Sequence, residues 1–451
     1  MTHATAPLAS NRLETKLPDD KPLYSDAEAR AEAERCLYCV DAPCIKACPT
    51  SIDIPTFIKK IATGNVRGSA RTIFEQNMLG YSCARVCPVE VLCVGDCVYQ
   101  EWHGEPIAIG RLQRYATETA TKAGAAPLLH PKKLADGERR SVALIGGGPA
   151  SLACAAYLAL EGHRAVILEK KSVPGGLNST GIAPYKLHVE DALHEADWVK
   201  SLGVEIRVGN EVGKDVRGAA LLAEYDAVFI GVGLGADATL GVPHERGPGV
   251  LGATAWIETM KLADAKASEL GRVVVVGGGN TAIDMARECA RLGAREVTMV
   301  YRRGVEAMSA YEHELDAART EGVRVLPNVV PVGFVRDTTG ALVAVTIADA
   351  ADGRPVPGTE HGLACDLVGL AIGQAKVRTI ADELPGVVLD GRGCVVVDPK
   401  TQRTGNAKVY AGGDCVNGGK EVVNAVAEGR DAAHAMMRAW ATETGTGANR
   451  G

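Results

Sequence analysis

The chain has 451 residues, a formal net charge of −6, 46% hydrophobic and 4% aromatic residues, and 52 glycines. That length suits about three ordinary domains, and so much glycine suits an α/β protein with many tight turns. The acidic balance and scarce aromatics exclude a nucleic-acid footprint, and no run reaches the roughly 18 apolar residues of a membrane span.

Residues 1–24 carry no apolar core of a signal peptide and read as a flexible arm, so a cytoplasmic protein is expected. Ser25 is placed to cap a helix over about 26–35, and further helices are expected over 54–64 and 71–76. No β alternation is visible before residue 120. Residues 25–120 therefore read as a helical domain.

Eight of the thirteen cysteines lie in this domain. They form two runs, Cys36-x2-Cys39-x4-Cys44-x3-Cys48-Pro49 and Cys83-x3-Cys87-Pro88-x5-Cys93-x3-Cys97. In a reducing compartment, such spacing marks metal or redox ligands more often than disulfides. Iron–sulfur cubes need about four thiolates each, and a Cys-Pro ending is a ferredoxin feature. By spacing alone all eight cysteines serve two [4Fe-4S] clusters. Structural zinc is the alternative, although only Cys36/Cys39 forms the usual short zinc hook.

Residues 121–140 have linker character. A strand over 142–145 then runs into Gly146-Gly147-Gly148-Pro149-Ala150-Ser151, which opens an apolar helix over 150–160. Gly146 suits the tight turn and Gly148 the close approach of a pyrophosphate, with Ala150 at the helix start. Glu169 ends the next strand 23 residues after Gly146, where a carboxylate accepts ribose hydroxyls. Leu177 follows shortly, and Asp414 closes a later strand with small residues. This module reads as an FAD site.

The pattern restarts at residues 272–276 with Gly277-Gly278-Gly279-Asn280-Thr281-Ala282, a helix over 282–292 and a strand over 297–301. Arg302 and Arg303 end that strand in place of a carboxylate and suit the 2′-phosphate of NADPH. Later strands are expected near 368–371, 395–397 and 409–410, with a last helix from about 422. The fold class is thus α/β: a helical iron–sulfur domain, then two Rossmann-like dinucleotide-binding domains. The FAD domain (141–248 and 365–445) is interrupted by the NAD(P) domain (249–364).

With CLYCVDAPCIKACPTSIDIP, CARVCPVEVLCVGDC and IGRLQRYATE, residues 25–440 resemble the electron-input module of dihydropyrimidine dehydrogenases. The related small subunit of bacterial glutamate synthase shares that architecture. The resemblance implies that Cys36, Cys39, Cys44 and Cys97 hold one [4Fe-4S] cluster. It implies Cys48, Cys87, Cys93 and Gln113 for the other, leaving Cys83 a bystander. It also implies that Gly146, Gly148, Ala150, Glu169, Leu177, Lys186 and Asp414 surround FAD. Gly279, Asn280, Thr281, Arg302, Arg303 and Gly373 would hold NADH or NADPH. Ser309 stands where NADPH-specific members carry a further arginine.

The implied function is an NAD(P)H-oxidising flavoprotein subunit with no catalytic triad of its own. It would pass electrons through its clusters to an FMN- and iron–sulfur-containing subunit that reduces uracil or thymine, in a hetero-oligomer. The alternative is the small subunit of an NADPH-dependent glutamate synthase, or a ferredoxin-linked NADP oxidoreductase subunit.

Overall fold

The computed structural model describes residues 8–122, 125–135, 137–264 and 270–447. Its first module is helical: α1 (Asp26–Glu34), α2 (Pro43–Ala47), α3 (Ile54–Ala62), α4 (Val66–Gln76), α5 (Gly80–Val86), α6 (Val98–Glu101) and α7 (Ile109–Ala120). Side chains set the starts. Ser25 and Glu28 form a reciprocal capping box on α1, Asp53 caps α3 ahead of Pro55, and Asn65 caps α4. Phe57, Ile58, Ile61, Ile73 and Leu112 pack the centre of this bundle. The cysteines occupy the loops and short helices at its margin.

The first dinucleotide module contains β1 (Ser141–Ile145), α8 (Pro149–Leu160), β2 (Arg164–Glu169), α9 (Leu177–Thr180), α10 (Val189–Ser201), β3 (Glu205–Val208), α11 (Gly218–Glu224) and β4 (Ala227–Ile230). The chain then leaves for the second module: β5 (Val250–Gly252), α12 (Ala253–Leu262), β6 (Arg272–Val276), α13 (Asn280–Arg291), β7 (Glu296–Tyr301), α14 (Glu312–Thr320) and β8 (Arg324–Pro327). Four strands follow, β9 (Val329–Arg336), β10 (Leu342–Ala351), β11 (Arg354–Pro355) and β12 (His361–Ala364), and then β13 (Leu367–Leu370). The return brings α15 (Thr379–Glu383), β14 (Val409–Ala411), α16 (Asp414–Asn417) and α17 (Val422–Gly447).

Two parallel five-stranded sheets result, in the orders β14-β4-β1-β2-β3 and β5-β13-β6-β7-β8. In each, the glycine-rich loop leaves the central strand, so both ligand crevices open at the carboxyl ends of the strands. The apolar helix α8 has no polar face because it is covered twice, by its sheet and by α17. A Cβ on Gly429 of α17 would strike the Ala150 carbonyl.

Three expectations need correction. Strand β13 pairs with β6 from Leu367–Val273 to Leu370–Val276, so the return to the first module follows Leu370 and does not begin at residue 365. Residues 395–397 form no strand. Val395 makes one isolated bridge to Leu389 across a turn, too short for a ladder. The described part of the arm, residues 8–24, is a packed strap. Leu13 joins Ile257 and Met260 in a small core, Glu14 is fully buried, and Asp20 pairs with Arg287 and Arg291. Residues 1–7 lie outside the described part.

The helical module shares its core with the first dinucleotide module. Phe74, Met78 and Leu79 sit in one cluster with Leu152, Tyr157 and Val199, and the Phe74 and Trp198 rings are 5.0 Å apart. Among the described residues no helix is long and apolar enough to cross a membrane.

Candidate functional site

A single cavity of about 1040 Å³ lies where the three modules meet. Its wall includes Gly146, Gly148, Ala150, Glu169, Leu177, Lys186 and Asp414 from the first module, and Asn280 and Thr281 from the second. Gly146 has φ +93°, and a Cβ there would lie 2.6 Å from the Gly231 carbonyl oxygen at the end of β4. The second loop repeats this construction: Gly277 has φ +149°, and a Cβ there would strike the Ala371 carbonyl oxygen after β13. Only glycine lets these loops turn against the neighbouring strand and leave the helix N-termini open to a pyrophosphate.

Glu169 is buried, and its carboxylate is already oriented. It accepts the Gly147 N–H at 2.6 Å and the Lys171 N–H at 2.7 Å. Each oxygen keeps a lone pair for a ribose hydroxyl. Burial pushes the Asp414 carboxyl above its ordinary value, against the pull of the Lys420 N–H at 3.2 Å. These residues fit FAD.

The second loop carries Gly279 and Asn280 beneath the segment 309–311. Ser309 and Ala310 donate their N–H groups to the Gly278 carbonyl at 2.9 and 3.0 Å. Arg302 and Arg303 are exposed at the end of β7, and Arg303 donates to the Tyr301 hydroxyl at 2.7 Å. Neither arginine, nor Gly279, nor Gly373 lies in the cavity wall. Gly373 sits at the crossover, where its carbonyl accepts the Ala238 N–H at 2.9 Å.

Cys36, Cys39, Cys44 and Cys97 line a second, small cavity with Ile54, Ile58 and Ile107. Burial and the neighbouring thiols push Cys44 up to about 12, and burial also raises Cys36. Such thiols are protonated until a cation arrives, so metal loading here releases protons. Cys48, Cys87 and Cys93 form a second group close enough to feel one another's charge, and Cys93 also feels Cys44. A hydrogen bond with Cys83, then burial, lifts Cys87 well above its ordinary value. Gln113 is buried on α7, and its amide donates to the Gly80 carbonyl of α5 at 2.8 Å. Among the described residues no three His, Cys, Asp or Glu side chains converge on a single-ion site. The first four thiols enclose a space, which suits a cube of iron and sulfide. Cys87 also lines the main cavity, so the second group borders the flavin crevice while the first lies beyond it.

Residues 140–429 match the family of pyridine nucleotide-disulphide oxidoreductases. The chain belongs to that family. Residues 14–125 match dihydropyrimidine dehydrogenase domain II, a 4Fe-4S cluster domain. Among curated relatives, the NADPH glutamate synthase small chain of Escherichia coli is 34% identical, with 92% of each chain covered. That of Halomonas elongata is 36% identical, covering 92% of this chain and 91% of its own. The NADP(+)-dependent formate dehydrogenase subunit beta of Moorella thermoacetica is 36% identical, with 87% of this chain and 59% of that subunit covered. Two solved structures share the fold of the dinucleotide modules. The thioredoxin reductase of T. acidophilum has a TM-score of 0.52 at 22% identity, covering 68% of this chain and 100% of its own. FprA of Mycobacterium tuberculosis in complex with NADPH has a TM-score of 0.54 at 20% identity, covering 69% and 86%. This family member is an NAD(P)H-dependent oxidoreductase subunit with FAD and [4Fe-4S] cofactors.

In this family member Lys186 is more than a cation beside the flavin site. Burial works against its charge, but Asp284 at 2.8 Å and Glu314 at 2.7 Å outweigh it and hold the ammonium pKa above its ordinary value. Both acids belong to the second module, so Lys186 pins one dinucleotide domain to the other. Lys261 of α12, in the second module, makes the reciprocal tie, donating to the first-module carbonyls of Asn178, Ile182 and Leu187 at 2.7–3.0 Å. Sequence reading missed Lys261, because a buried lysine has no local signature.

It also missed Glu195. This fully enclosed carboxylate on α10 accepts the Ser82 N–H at 3.0 Å and the Ser82 hydroxyl, tying the first module to α5. Burial raises it to about 7, with the Ser82 contacts opposing. An acid raised on folding holds an extra proton in the folded state. Its stabilisation is complete below about 4.5 and is lost as pH rises through about 7. The span corresponds to about 3 kcal/mol. Glu195→Gln should abolish that decline, so its Tm should fall less than the wild type's between pH 5 and pH 8. Parallel melting curves would refute the assignment.

Proposed function

We propose that this chain is the NADPH-oxidising small chain of a glutamate synthase-type enzyme, delivering electrons to a larger partner chain. The near full-length match to glutamate synthase small chains carries this reading. It supports this reading over the pyrimidine-reducing partner to which the IGRLQRYATE segment points. In this reading the second loop takes NADPH, and Gly146, Gly148, Ala150, Glu169 and Asp414 hold FAD. Cys36, Cys39, Cys44 and Cys97 hold one cluster; Cys48, Cys87 and Cys93 with Gln113 hold the other. Bound FAD and clusters supply the conversion from a two-electron donor to one-electron carriers. The chain's residues bind, orient and exclude water around them.

One observation favours the second reading, a pyrimidine-reducing partner. Gln113 is buried against α5 in a domain that matches dihydropyrimidine dehydrogenase domain II. The chain purified with its own partner decides between them. NADPH oxidation that requires glutamine and 2-oxoglutarate supports the first reading; oxidation that requires uracil or thymine supports the second.

Nucleotide choice is tested separately. Arg302 and Arg303 are exposed beside the second loop, Arg303 with a bond to the Tyr301 hydroxyl, and Ser309 brings a hydroxyl to within 3.3 Å of a Cβ placed on Gly279. Arg302→Ala should lower kcat/KM for NADPH about 10-fold, the value of one charge-assisted hydrogen bond, and leave NADH unaffected. An equal loss with both nucleotides would remove the phosphate role.

A further inference from the structure

Tyr311 bridges the second dinucleotide loop and the segment that leads into α17 of the first module. Its backbone N–H donates to the Asn280 side chain at 3.1 Å, at the start of α13. Its hydroxyl donates to Glu421 at 2.7 Å, on the far side, just ahead of α17. Glu421 follows Lys420, whose N–H binds Asp414 at 3.2 Å. Tyr311, Glu421, Asn280 and Asp414 all face the main cavity. A nucleotide whose phosphates rest at the second loop would reach the flavin crevice through this same cavity, which Tyr311 lines.

We propose that Tyr311 controls admission of the nicotinamide ring to the flavin crevice: its bond to Glu421 closes the crevice and must open before the ring enters. The inference rests on the assignment of the second loop to NAD(P)H. The moving part is the side chain. The backbone of residues 309–310 is held to Gly278 by two N–H donors, and Tyr311 is tied to Asn280. The phenol is half-buried and its ring stacks on exposed His313 with centroids 5.8 Å apart and planes 8° from parallel. His313 in turn faces Glu90 of the helical module at 3.6 Å. Rotation of Tyr311 toward solvent breaks one hydrogen bond and no backbone contact. The closed form therefore lowers the apparent affinity for any ligand that carries the ring, by the fraction of time the bridge is open.

The test compares two ligands that differ only in the ring: NADP+ and 2′-phospho-ADP-ribose. Binding is measured by calorimetry on the FAD-loaded, anaerobically purified protein and on Tyr311→Phe. Phenylalanine keeps the ring and its stacking and removes only the bond to Glu421. The variant should bind NADP+ about 5- to 20-fold more tightly and 2′-phospho-ADP-ribose as the wild type does. Glu421→Gln, which keeps a weaker neutral acceptor, should give an intermediate tightening for NADP+ alone. Equal changes for both ligands, no change, or weaker NADP+ binding would each overturn the gate. A wild-type protein that binds neither ligand would overturn the nucleotide assignment and this inference with it.

Discussion

Replacing Cys44 with serine should reduce partner-linked turnover at least about 100-fold while leaving NADPH-driven reduction of a flavin-level dye intact. A lost metal ligand should cost more than the 10- to 100-fold typical of its outer hydrogen-bond partners. The separation of the two readouts follows from position. Cys44 shares its small cavity with Cys36, Cys39 and Cys97, and none of the four borders the main cavity. Cys87 does border it, so the second group stands between the flavin crevice and the first. Serine is a harder and far weaker acid, and its hydroxyl in this apolar lining would stay protonated. The Cys44 thiol, at about 12, becomes a thiolate only under the charge of bound iron. About half of the iron should be lost, with one of two reduced-state EPR signals. Full iron content with unchanged partner-linked turnover would remove Cys44 from the wire. Stoichiometric zinc in the wild type would remove the wire altogether.

The parts legible in sequence were those whose physics is local. Both strand–glycine loop–helix units lie where the apolar periods place them, and β1, β2, β6 and β7 fall within a residue or two of expectation. The cysteine runs bring the thiols close, but each group draws on both runs: Cys97 joins Cys36, Cys39 and Cys44, and Cys48 joins Cys87 and Cys93, a crossing that spacing alone does not give. What escaped depends on residues far apart in the chain. The strap at residues 8–24 reads as an arm until Asp20 meets Arg287 and Arg291, more than 260 positions away. The antiparallel strands β9 to β12 went unassigned: Pro331, Gly333 and the turns at Gly340 and Gly353 interrupt their alternation. The family resemblance alone points to Lys186 as a cation at the flavin site, and its partners Asp284 and Glu314 sit on helices of another domain. Local pattern locates the two crevices; tertiary contacts decide how they are held together.

Gly146→Ala should cost the protein its flavin. The residue sits at φ +93°, where any L side chain is strained, and the new methyl would lie 2.6 Å from the Gly231 carbonyl oxygen. Neither neighbour yields cheaply: Gly231 donates its N–H to Ile145 at 2.9 Å, and Gly146 donates to Leu168 at 2.8 Å. The left-handed penalty and the clash together amount to about 3 kcal/mol. The loop can escape by lifting off the end of β4, which moves the N-terminus of α8 away from the pyrophosphate. Borne wholly by binding, that cost is about 100-fold in FAD affinity. The purified variant should then lack flavin absorbance, with its iron content unchanged because the helical module is untouched. Gly277→Ala makes the matching change in the second loop and should keep FAD while losing NADPH. A Gly146→Ala protein with stoichiometric FAD and a wild-type Kd would show that this loop does not hold the flavin.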